Sequence, residues 1–178
     1  MLVLLFAACQ TIGNSVRIDK KNAQTNILKN GAFTDGKKYW NPWQNARMHS
    51  NLVKTVICKG DSGNYNVLRI ENPYAKLIGV NQAMIVEKNK IYKLSAAVRS
   101  TITNSSAVIF GGRIGIRLPK QQERSLIWIT EFNDWWKKEL IITNQFGGTA
   151  VVYIDMGYGN VVSTGEFADI KFEEMGGL

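Results

Sequence analysis

Residues 26–43 read NILKNGAFTDGKKYWNPW, a short apolar run, an Asn-Gly pair, a lone Phe and two tryptophans around a proline. Ile27 and Leu28 are placed to cover the edge of a core, and Asn30-Gly31 tolerates the positive φ of a tight turn. Phe33 then returns as a plug before the chain leaves for Trp40 and Trp43. A segment of this kind opens an all-β domain, and the remaining chain must supply the sheets that it closes.

Beyond this segment, strand-like runs alternate with turn residues: ARMHSNLVKTVICKG, NYNVLRIE, KLIGVNQAMIV, KIYKLSAAVRS, AVIFGGRIGIRL, SLIWITEF, WKKELIITN, TAVVYIDMGYG and GEFADIKFEE. Breaks such as Lys59-Gly60-Asp61-Ser62-Gly63 and Asn72-Pro73 set a spacing that suits a two-sheet antiparallel sandwich. Alternation is clearest where Tyr92, Leu94, Ala96 and Val98 share one face while Lys93, Ser95, Ala97 and Arg99 share the other. The same split turns Ile114, Ile116 and Leu118 inward and Arg113, Gly115 and Arg117 outward. His49 falls within a strand-like run, and no segment keeps a helical period.

The composition agrees. Sixteen glycines against three prolines, with 45% hydrophobic and 20% charged residues, favour strands and turns in one domain plus short ends. The opening MLVLLFAACQ places Phe6-Ala7-Ala8 before Cys9, the tail of a bacterial lipoprotein signal, although only eight residues precede the cysteine. The expected layout is a signal remnant over 1–9 with Cys9 lipidated, a polar linker over 10–25 and the sandwich over 26–175. The location implied is the bacterial cell envelope or exterior, with membrane contact through the lipid alone. Cys58 then remains as a small buried hydrophobe, and neither a disulfide framework nor a four-ligand zinc site follows.

The order of motifs resembles jelly-roll carbohydrate-binding modules of the family 4, 9 and 22 type, a galactose-binding-domain-like β-sandwich found beside polysaccharide-degrading enzymes. Asn26 to Phe33 is similar to their N-L-x-x-N-G-x-F opening, and Trp40-Asn41-Pro42-Trp43 to the tryptophan position after it. Val80-Asn81-Gln82 through Val86 and Lys90 to Arg99 resemble the paired Q-x-V-x-V and Y-x-L-S-A-x-V-R strands. Trp136-Lys137-Lys138 and Phe167-Ala168-Asp169-Ile170-Lys171-Phe172 resemble the close. The resemblance implies a structural calcium, for which Asp35 and Asp169 are the available acids. Thr34 and Ala168 stand where the group carries others, which thins the set of oxygen ligands that a hard cation wants.

The function implied is noncatalytic polysaccharide or oligosaccharide binding. Sugar rings offer a CH face to aromatic side chains and hydroxyls to amides, carboxylates and guanidinium groups. Trp40 and Trp43, read as loop residues, are platform candidates that compete with a role as lids over the core. Asn81, Arg99, Arg113 and Arg117 are outward strand candidates, with Trp128 and Tyr153 as further aromatics. Trp136 is expected in the core and Trp135 more exposed. A formal charge of +8 admits acidic glycans. Nucleic acid is not expected, because the basic residues are scattered instead of forming a stripe with stacking aromatics. The alternatives are an adhesive envelope sandwich that binds a protein, and a glycoside hydrolase or lyase of the same architecture. Glu71, Glu131, Asp134 and Asp155 exist for hydrolysis, but no nucleophile elbow or phosphate loop does.

Overall fold

A computed structural model of the chain describes residues 25–60, 63–100, 111–128 and 134–177. Cys9, the signal remnant, linker residues 10–24 and Glu131 lie outside the described residues. The strands are β1 (Asn41–Gln44), β2 (Val53–Gly60), β3 (Gly63–Asn72), β4 (Ile78–Val86), β5 (Lys90–Ser100), β6 (Gly112–Arg117), β7 (Arg124–Trp128), β8 (Trp136–Asn144), β9 (Gly148–Met156) and β10 (Ser163–Gly177). They form two antiparallel five-stranded sheets, one ordered β1-β4-β9-β6-β7 and the other β2-β3-β10-β5-β8. This is the expected β-sandwich.

The period-2 pattern decides which face is dry. Tyr92, Leu94, Ala96 and Val98 of β5 meet Ile114 and Ile116 of β6 in one core, all at most 1% exposed. Phe33 is fully buried and Trp40 packs against it, ring centroids 5.6 Å apart.

The opening stretch is stapled to both sheets by amides. Asn26 donates to Ile170 O (3.0 Å) and accepts from Phe172 N–H (2.9 Å). Gln82, turned inward on β4, accepts from Lys29 N–H (2.7 Å) and donates to Lys29 O (2.9 Å). Asn30 takes the positive φ of 53° in the turn, whereas Gly31 is needed for space, since a Cβ there would stand 2.1 Å from Ile170 O.

Three expectations are corrected. Trp43 lies on β1 and not in a loop: Pro42 needs no ladder donor on an edge strand, so 41–44 pairs with 78–81. His49 precedes a short 3-10 turn (Ser50–Leu52) and packs on Tyr74 at 4.7 Å. Trp136 is 45% exposed, because it starts the edge strand β8 at the end of the sandwich, and Trp128 fills the core instead.

Candidate carbohydrate-binding face

The outer face of the sheet carrying β1 brings five of the candidate residues together. Strand register places Trp43, Gly79, Asp155, Arg113 and Ile127 in one cross-strand row, and Asn41, Asn81, Tyr153, Gly115 and Ser125 in the next. Residues directly opposite in a ladder share a face, so the rows lie side by side. Two glycines lower the floor between the large side chains. At Gly115 a Cβ would stand 2.1 Å from the Tyr153 hydroxyl, so the absence of a side chain there lets the phenol ring lie across β6.

The aromatics and cations interleave above that floor. Trp43 stacks on Tyr153 at 5.9 Å and 16°. The Arg117 guanidinium sits 5.0 Å from the Trp43 ring, and that of Arg113 sits 4.7 Å from Tyr153 and 5.2 Å from Tyr158. Each contact is of cation–π type, and Tyr153 is itself fully buried. Asn81 is half-buried beside them.

Two carboxylates fix the arginines. Asp155 is fully buried and accepts from Arg113 Nε (3.0 Å) and Nη2 (2.7 Å). Burial raises its pKa, a rise that the Arg113 pair opposes. Trp43 Nε1 is buried with no hydrogen bond of normal geometry, but it lies near enough to Asp155 to favour the charged carboxylate. Glu123 accepts from the Tyr153 hydroxyl (2.5 Å) and Arg117 Nε (2.6 Å). Burial opposes the Glu123 charge, yet these donors hold its pKa below the ordinary value. Burial and the bond to Glu123 push the Tyr153 phenol well up, so it remains a donor.

The other candidates fall elsewhere. Trp40 is 5% exposed and donates from Nε1 to Asn30 O (3.1 Å), and Trp128 is fully buried and donates to Trp136 O (3.1 Å). Neither ring has a face for a ligand, because both are spent on the core. Arg99 points outward as expected, but from the opposite sheet, where it pairs with Glu166. Asp169 sits in a β10 bulge at φ 50° and pairs with Lys171 (3.0 Å), while Asp35 is exposed in the opening loop. Among the described residues no three His, Cys, Asp or Glu side chains converge as a metal site would require.

Sequence reasoning missed Glu123 and the glycine floor. Alternation along β9, with Ala150, Val152 and Ile154 inward, signals that Tyr153 and Asp155 face out together. Nothing in the sequence signals Glu123, which lies between β6 and β7 and reaches back to Arg117 of β6 and Tyr153 of β9.

No protein-family model matches the chain. Solved structures share its fold: a family 16 carbohydrate-binding module (TM-score 0.61, 17% identity, covering 83% of this chain and 99% of that one), and TmCBM61 in complex with beta-1,4-galactotriose (0.60, 16%, 83% and 97%). The CBM22-1 xylan-binding domain of Paenibacillus barcinonensis Xyn10C is a third (0.58, 13%, 88% and 98%). The fold is thus the jelly roll of carbohydrate-binding modules. In sequence, the chain is 25% identical over 183 residues to the tRNA nuclease WapA of Bacillus subtilis (strain 168), spanning 91% of this chain and 7% of that protein. A tRNA(Ser)-specific WapA of Bacillus spizizenii matches at the same identity and coverage.

Proposed function

We propose that the chain is a noncatalytic carbohydrate-binding module whose site is the outer face of the β1-β4-β9-β6-β7 sheet. The observation that carries this reading is the half-buried Trp43 ring, backed by the fully buried Tyr153, flanked by Arg113 and Arg117 and set over a floor of glycines. Such a surface offers an apolar platform and fixed donors side by side, which is what a sugar ring with a CH face and a rim of hydroxyls requires. Asp155 and Glu123 are engaged by arginines, which suits them to positioning and not to proton transfer. The jelly-roll neighbours support the reading. The nuclease activity in the names of the sequence relatives belongs to proteins of which this chain matches a small fraction.

Affinity electrophoresis against soluble galactans and xylans, paired with thermal unfolding, tests the site. Trp43→Ala should weaken retardation by roughly 1 to 3 kcal/mol, the range for losing an aromatic stacking partner, with the fold intact. Trp136→Ala is the control on an exposed ring outside the site. Unchanged retardation with a collapsed unfolding midpoint would make Trp43 a packing residue and remove this face from the function.

A further inference from the structure

The opposite sheet carries a separate cavity of about 850 Å³ over β3, β10 and β5. Its floor is Ala97 and Ala168, which face each other across the β5–β10 ladder and leave the depression. Tyr65 and Trp135 wall it. Trp135 Nε1 donates to the Tyr65 hydroxyl (2.7 Å), and the rings meet edge-on at 6.1 Å. Tyr65 leans over Gly60, where a Cβ would stand 2.8 Å from the ring, so the hairpin glycine makes room for one wall. Both rings are thus locked before any ligand arrives, which limits the entropy lost on binding.

The polar groups have a sign. Glu166 is fully buried and accepts from Arg99 Nε (2.6 Å) and Arg69 Nε (2.9 Å). Among the described residues, two guanidinium groups against one carboxylate leave one positive charge in excess. Arg99 lines the cavity, with its guanidinium 4.8 Å from the Trp135 ring, and Lys59 adds a second cation at the rim. Asp169, also on the lining, is already balanced by Lys171. Thr34, Asn64 and Asn66 also line the cavity, the two asparagines on strand positions that alternate with Tyr65.

We propose that this cavity is a second ligand site, specific for a carboxylated sugar ring, a hexuronate unit within an oligosaccharide. The aromatic walls take the CH face, and the cationic Arg99, with Lys59 at the rim, takes the carboxylate. A neutral sugar would leave that charge unused. Nucleic acid would need a continuous basic track with successive stacking rings, and this cavity offers one walled pocket. The inference is independent of the Trp43 face.

The test is calorimetric titration of the full chain with tetragalacturonate, with the neutral galactose tetramer and with a short single-stranded RNA. The uronate should bind, the neutral tetramer at least about tenfold more weakly, and added salt should weaken the uronate. Trp135→Ala should cost about tenfold or more. Ala97→Leu, which raises the floor and removes no recognition group, should do the same with the unfolding midpoint retained. Trp43→Ala should leave the uronate affinity unchanged, which separates this site from the other face. Absence of uronate binding, equal affinity for the neutral tetramer, or tighter binding of RNA at Trp135 would overturn the proposal. So would uronate binding that Trp43→Ala abolishes and Ala97→Leu leaves intact.

Discussion

A tryptophan removed from water contributes far more to stability than one that keeps half its surface wet. Trp40 is 5% exposed, wedged on Phe33 and bonded to Asn30 O, so truncation opens a cavity in the core and removes one of the two hydrogen bonds to Asn30 O. Trp136 is 45% exposed, with the Lys138 ammonium 4.6 Å from its ring. Trp40→Ala should therefore lower unfolding free energy by about 3 to 5 kcal/mol. Trp136→Ala should lower it by about 1 kcal/mol, the size of a wet cation–π contact plus partial burial. Denaturant unfolding of the two variants measures the difference directly. Equal losses would mean that the edge of β8 is drier than its exposure indicates. The sequence context of Trp136 beside a strand start is compatible with either position, because an edge strand and a central strand share the same period and differ only in what lies beside them.

At the scale of elements, β10 is the central strand of its sheet and carries Glu166 between Arg69 of β3 and Arg99 of β5. Burial opposes the charge of Glu166, but the two guanidinium groups prevail and hold its pKa below the ordinary carboxylate value. Its folded pKa lies below the unfolded one. The stabilisation is therefore complete above the unfolded pKa, about 4.5, and is lost as pH falls through the folded value. Glu123 acts with the same sign, whereas Asp155, raised by burial, acts with the opposite one. Wild-type stability should fall as pH drops below about 4.5, and Glu166→Gln should be less stable at neutral pH with a flatter acid limb. An acid limb of unchanged slope in the variant would show that the linkage lies elsewhere. The strands themselves were legible in the sequence: β5 and β8 carry the bounds of KIYKLSAAVRS and WKKELIITN. β1 was not, because its four residues contain a proline and too few alternations to register, and only the pairing with β4 makes it a strand.

For the whole molecule, the sequence defined the sandwich and most of one face, but it did not tell one sheet from the other. Arg99 and Arg113 are both outward by alternation, and only the order of strands sends them to opposite sides. Which opening residues hold the two sheets together was equally hidden, and this bears on metal dependence. The segment over 26–38 is closed by amide side chains: Asn26 clamps β10, while Asn30 donates to Gly36 O (2.9 Å) and Lys38 O (3.2 Å) and accepts from Asp35 N–H (3.2 Å). Asp169 already has Lys171 as its counter-ion. These contacts tie the opening segment to β10 and to itself. A filled site at a hundredfold excess of ligand over Kd would add about 2.7 kcal/mol, or about 5 to 10 °C in the midpoint of a domain of this size. Chelation should instead shift the midpoint by less than about 1 °C, measured by scanning calorimetry with and without EDTA at constant ionic strength. A fall of about 5 °C or more, restored by calcium and not by magnesium, would place Asp35, Asp169 and nearby carbonyls around an ion and make the opening loop a metal site.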